Sequence, residues 1–313
     1  MEGHAVAADP TRRDKAKHEH DLGFAHDMKV MNRRRALVFF GAAGAATVAA
    51  GCAADTGNDS AAPTTGAATG ETPAAAPQET AGPYPGDGSN GPNVLIESGV
   101  VRGDITTSFG PYSGVAEGVP MTLRLKLRDL AKEGAAGADM AVYVWHCDRA
   151  GEYSLYSDTV LEQNYLRGVQ VADSAGEVTF TSIFPACYSG RWPHVHFEVY
   201  DTLATAVAGD NARLTSQIAL PQDSCEAVFA ADSGYARSVS NMSGVTLASD
   251  NVFGDGWDAE LATVTGTPAS GMVVELTIGV AEKSRNVESG NGSGPPPGGP
   301  PPGGQGGPPP GAR

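Results

Sequence analysis

Cys-Tyr-Ser-Gly-Arg-Trp-Pro-His-Val-His-Phe (187–197) packs a phenol, a guanidinium and two imidazoles into the span Tyr188 to His196. His-Val-His followed by Phe197, Val199 and Tyr200 reads as a strand, and on a strand residues two apart face the same way. His194 and His196 therefore share one face. Working outward, the neighbouring segments carry the same strand signature of Val, Ile, Thr and Phe. Met121 to Leu127 alternates Leu123, Leu125 and Leu127 with Arg124 and Lys126, a half-buried strand. Ala141-Val-Tyr-Val-Trp145 is apolar on both faces and reads as a central strand. Glu177 to Phe184, Ser216 to Leu220, Leu261 to Thr265 and Met272 to Val280 complete the set. Turn-forming clusters separate them at 148–151, 173–176 and 189–190. Only 222–231 reads as a helix, with Asp223 or Ser224 as its N-cap. Many short strands with polar turns predict an all-β fold, an antiparallel β-sandwich with long loops and one short helix.

The sandwich is expected over 78–284, a length that suits one domain. Residues 1–30 are polar, hold four of the seven histidines and read as a disordered or mis-assigned extension, with Met31 as an alternative start. Asn32-Arg-Arg-Arg-Ala-Leu37 and the small apolar run to Ala50 read as a Tat-type export signal. Ala49-Ala-Gly-Cys52 is similar to a lipobox, in which Cys52 would be lipidated; cleavage within 46–60 to give a soluble secreted chain is the alternative. Residues 53–77 read as a flexible Ala/Thr/Gly/Pro tether, and 285–313 as a Pro/Gly-rich disordered tail.

Past Cys52 the chain has 13 Lys and Arg against 30 Asp and Glu. Nucleic-acid binding requires a basic footprint, so that class is excluded. Contact with a membrane is expected only through a lipid on Cys52. Two of Cys147, Cys187 and Cys225 could pair in an oxidising compartment, and no Cys-x-x-Cys arrangement offers a structural zinc site. The oligomeric state is not readable from the chain.

Tyr153, in Gly-Glu-Tyr-Ser (151–154), and Tyr188 add two phenols to His194 and His196. A phenol ionises near neutral pH only with strong help, because its ordinary pKa is near 10. A mixed set of two imidazoles and two hard oxygens suits a strongly Lewis-acidic ion, and ferric iron, Fe(III), fits. A rival set joins His146 to His194 and His196 as a His₃ zinc or copper site.

Three stretches carry a resemblance to a known family: Val-Trp-His-Cys-Asp-Arg-Ala-Gly-Glu-Tyr-Ser (144–154), Tyr-Leu-Arg-Gly-Val-Gln (165–170) and Phe-Pro-Ala-Cys-Tyr-Ser-Gly-Arg-Trp-Pro-His-Val-His-Phe (184–197). They resemble the intradiol ring-cleavage dioxygenases of the catechol and protocatechuate type. The resemblance implies Fe(III) held by Tyr153, Tyr188, His194 and His196. It implies a small aromatic diol and O₂ as substrates, and cleavage between the two hydroxylated carbons to a muconate-type dicarboxylate. In that scheme Tyr188 also acts as a base, and Arg191 faces the substrate and stabilises developing negative charge. Gln217 resembles a glutamine that lines the family's pocket, although it lies further from His196 than the pattern suggests. Gln78-Glu-Thr-Ala-Gly-Pro-Tyr84 is similar to a segment that lines the cleft, which nominates Tyr84. Trp192 could stack on an aromatic ring or pack in the core. A non-catalytic surface lipoprotein on the same sandwich is the reading from another class.

Overall fold

The computed structural model describes residues 72–209 and 211–283. The expected export signal with Cys52, the extension before it, the tail 285–313 and most of the tether lie outside those residues. Among the described residues no helix is long and apolar enough to cross a membrane.

Two sheets form the sandwich. In the first, β1 (Pro120–Asp129) lies at the centre. It pairs antiparallel with β2 (Ala135–Ala136) and β5 (Glu177–Ile183), and parallel with β9 (Gly271–Val280). β8 (Thr263–Thr267) closes this sheet against β9. The second sheet is wholly antiparallel, in the order β4 (Arg167–Val171), β3 (Ala141–Trp145), β6 (His194–Tyr200), β7 (Leu214–Ala219). The expected antiparallel sandwich is thus observed, apart from the one parallel pairing of β1 with β9.

Alternation explains the packing. Met121, Leu123, Leu125 and Leu127 are buried, while Arg124 and Lys126 point outward and pair with Glu275 and Glu177. Both faces of β3 are buried, as its apolar run requires. Val142 and Val144, with Val195, Phe197, Val199 and Ile218, form one face of the second sheet and join the main core. The opposite face carries Tyr143, Trp145, His194, His196, Glu198 and Gln217.

Three corrections apply. Helices number three among the described residues, not one: α1 (Leu203–Ala208), α2 (Gln222–Ala231) and α3 (Ala236–Met242). α1 and α3 are too short for an apolar stripe to register, and α3 is rich in Ser and Asn, poor helix formers. α2 has the expected bounds, but its N-cap is Pro221; Asp223 sits in the first turn, where a carboxylate favours the helix dipole. Finally, the tether ends earlier than expected: Ala76 is buried and donates to the Gly279 carbonyl (2.9 Å) beside β9. Among the described residues no disulfide forms: Cys147, Cys187 and Cys225 are all free and buried.

Candidate active site and metal centre

One rung of the second sheet sets the site. Arg167 pairs with Trp145, Trp145 with His196, and His196 with Gln217, so four strands bring these side chains into one row. His196 lies flat on Trp145, with centroids 4.9 Å apart and planes 4° from parallel.

Two long loops add the phenols. Asp148 Oδ1 accepts the N–H groups of Ala150 and Glu152 (2.8 and 3.0 Å), which tightens the turn after β3. Gly151 sits at φ +87°, and a Cβ there would lie 3.1 Å from Tyr188 Cβ, so only glycine lets the two loops approach. Tyr153 N–H donates to Ser157 Oγ (2.9 Å), fixing the buried Tyr153 at the loop's inner side. Between β5 and β6, α3 braces the second loop: Ser238 Oγ accepts from Cys187 N–H (3.0 Å), and Asn241 Nδ2 donates to the Cys187 carbonyl (2.8 Å). Tyr188 follows directly and is half-buried.

The four tips converge on His194 Nε2. His196 Nε2 lies 3.1 Å from it, and the hydroxyls of Tyr153 and Tyr188 each 3.4 Å. His194 Nδ1 donates to the Trp192 carbonyl (2.5 Å), so its Nε2 carries the free lone pair. The phenol-to-imidazole separations are longer than a strong O–H···N bond. Two donors about 2 Å from a shared tetrahedral ion lie about 3.3 Å apart, so the spacing suits one bound cation. Burial pushes the Tyr153 phenol well above its usual range, aided by Tyr188 beside it. Burial and the Arg191 charge push His194 down to about 3, and burial with His194 holds His196 well below the ordinary imidazole value. Neutral imidazoles are what a metal needs, and a buried phenol ionises only with a cation to hold its charge. The residues present therefore fit the ferric ion implied by the sequence.

His146 is not part of this centre. Its two ring nitrogens are bound to the Cys147 carbonyl and Ser182 Oγ, each at 2.7 Å. Among the described residues no three His, Cys, Asp or Glu side chains form a metal group, which leaves the mixed phenol–imidazole set.

Arg191 is buried. Its Nε donates to Asp250 Oδ2 (3.0 Å) and its Nη2 to Gln217 Oε1 (2.7 Å). Gln217, directly opposite His196, uses its amide N–H to hold the Thr80 carbonyl (2.9 Å). The chain from 78 to 86 thereby lies over the site. A Cβ on Gly82 would come 3.2 Å from His196 Cε1, and Pro85 accepts from Tyr143 Oη (2.6 Å) and Arg167 Nη1 (2.9 Å). Tyr84 packs between Tyr153 and Tyr156, 5.1 Å from each ring. Of the two readings for Trp192, the structure shows core packing: its indole N–H lies on the Leu220 carbonyl (2.8 Å), and its own carbonyl meets His194. Asp250 and Tyr156 went unread in the sequence; a lone Asp or Tyr in a polar loop gives no signal of what it will touch. Arg167 was noted only within its motif.

Comparison with known proteins agrees with this fold. Residues 103–245 match the family model described as Dioxygenase. A solved intradiol ring-cleavage dioxygenase from Tetranychus urticae is 21% identical with a TM-score of 0.52; the match covers 66% of this chain and 95% of that one. Another solved dioxygenase is 22% identical with a TM-score of 0.51, covering 67% and 95%. No curated protein sequence matches the chain. Over 103–245 the sequence pattern matches that family model, and the fold is shared along nearly the full length of those structures, so this part of the chain is similar to the intradiol ring-cleavage dioxygenases.

Proposed function

We propose that the chain is a ferric-iron enzyme that cleaves a catechol-type aromatic with O₂ between its two hydroxyls, giving a muconate-type dicarboxylate. The observation that carries this reading is the convergence of two phenols and His196 on His194 Nε2. Tyr153, Tyr188, His194 and His196 would hold the iron. Bound there, iron would supply Lewis acidity toward the diol and the electronic route by which O₂ meets the ring.

The protein's own groups perform the rest. Tyr188 is the less buried phenol; as the phenolate that a bound cation would hold, its Oη could leave the cluster and take a proton from the incoming diol, becoming the neutral phenol. Tyr153 is enclosed and stays in place. Arg191 offers a fixed cation beside the ligands, where oxyanion charge develops during ring opening; its ties to Asp250 and Gln217 mean that it need not reorganise. Tyr84 and Tyr156 provide an aromatic wall that excludes water.

The test is to load the purified chain with iron and supply catechol under O₂. A red to burgundy colour, oxygen uptake and a product opened between the hydroxyls are expected. A colourless iron-loaded protein, or opening beside the hydroxyls, would refute the reading.

Export through the twin-arginine segment 32–37, with Cys52 as lipid anchor, belongs to the same proposal because an anchored enzyme would meet aromatics outside the cytoplasm. Recovery of the unprocessed chain from the cytoplasm alone would sink it.

A further inference from the structure

Asp250 lies beyond the stretch that matches the family model, yet its carboxylate touches the machinery from behind. The side chain has no exposure to solvent. Oδ2 accepts two hydrogen bonds, from Arg191 Nε at 3.0 Å and from the Trp192 backbone N–H at 2.7 Å. Trp192 in turn presents its carbonyl to His194 Nδ1–H. Oδ1 accepts the N–H groups of Val252 (2.8 Å) and Phe253 (3.3 Å), locking the carboxylate into its own loop. That loop also places the Phe253 ring against His194, centroids 6.5 Å apart.

We propose that Asp250 is a positioning residue that holds Arg191 and His194 in one frame, so that the guanidinium and the first imidazole keep a constant relation to each other. This rests on the function proposed above for Arg191 and His194. A buried carboxylate accepts at both oxygens, whereas an amide keeps one acceptor and turns its N–H₂ toward donors, either Arg191 Nε and the Trp192 N–H or the Val252 and Phe253 N–H groups. Without the charge, Arg191 keeps Gln217 but its bond at Nε loses the ionic attraction. The tether at residue 192, on the N-terminal side of the carbonyl that orients His194, is weakened with it.

Wild type, Asp250→Asn, Arg191→Gln and the double variant are compared as iron-loaded full chains with catechol as the probe. Asp250→Asn is expected to lower kcat by about 10- to 100-fold, the range for groups that orient metal ligands. The same change is expected to add little once Arg191 is already Gln, because coupled residues are not additive. Equal losses in both backgrounds would overturn the link to Arg191.

A second readout needs neither iron nor turnover. In the metal-free chains, the His194 Nδ1–H proton followed by NMR is expected to exchange with water at least tenfold faster in Asp250→Asn. An unchanged exchange rate would overturn the link to His194. If wild type cleaves no catechol, the proposed reaction has failed, and the ring-proton comparison decides the role of Asp250 by itself. Asp250→Glu, which keeps the charge and lengthens the arm by one methylene, carries the same two readouts should Asp250→Asn not fold.

Discussion

On the side away from the cluster, His196 is held by a ring face and not by a hydrogen bond: it stacks on Trp145 within 4° of parallel, and its buried Nδ1 has no hydrogen-bond partner among the described residues. A ligand imidazole is ordinarily oriented by a bond to its other nitrogen. Here the stacked indole sets the ring plane. Trp145→Ala is expected to destabilise the chain by about 3–5 kcal/mol in urea unfolding and to weaken iron retention. Trp145→Phe, which preserves a stacking face, should lose markedly less of both. Equal iron retention in all three proteins would remove the stack from the account.

Tyr153→Phe should separate folding from metal binding. The hydroxyl lies 3.4 Å from His194 Nε2, a poor hydrogen bond, so its loss should change the stability of the iron-free chain by under about 1 kcal/mol. Iron content per chain and the visible charge-transfer band should both fall steeply. A variant that keeps full iron and colour would show that Tyr153 is not a ligand.

Among the described residues the buried cation Arg167 is satisfied by neutral groups: Ser154 Oγ and carbonyl, the Pro85 carbonyl and Tyr143 Oη. Its planar fork reaches from the Tyr153 loop to the strap over the site. Arg167→Lys keeps the charge but cannot span both. It should cost about 3 kcal/mol or more and expose the backbone near Pro85 to proteolysis. Unaltered proteolysis with unaltered unfolding would contradict the clamp.

Glu260 gives a pH dependence with a definite sign. Burial, then the Glu79 charge, pushes its carboxyl up from 4.5 to about 9; Ser216 Oγ binds one oxygen, and the other has no hydrogen-bond partner among the described residues. The folded chain therefore keeps a proton that the unfolded chain releases near 4.5. That contribution is complete below 4.5 and is lost as pH rises toward 9. Glu260→Gln should flatten this slope, so its stability relative to wild type improves between pH 5 and pH 9 in paired urea titrations. A difference that stays constant across the range would rule out the buried proton.

The strands of the sandwich were legible because alternation and apolar runs are local: Leu123, Leu125 and Leu127 or Ala141 to Trp145 need no partner to declare their faces. The phenols and imidazoles were legible because Tyr188, Arg191, His194 and His196 fall within a few residues of one another, and Tyr153 sits in a motif of its own. Gln217 looked too distant only because the chain between β6 and β7 loops out through α1; strand register brings it back opposite His196. Register likewise put Arg167 in that row, through pairings that no spacing encodes. Asp250 was invisible for the same reason. By itself the sequence determined which side chains are candidates to hold an ion and which segments are strands, since both follow from residue type and short-range periodicity. Only the tertiary structure decided how His194, Arg191 and the strap over the site are held, because those contacts join residues tens to more than a hundred positions apart and depend on how two sheets and their loops pack.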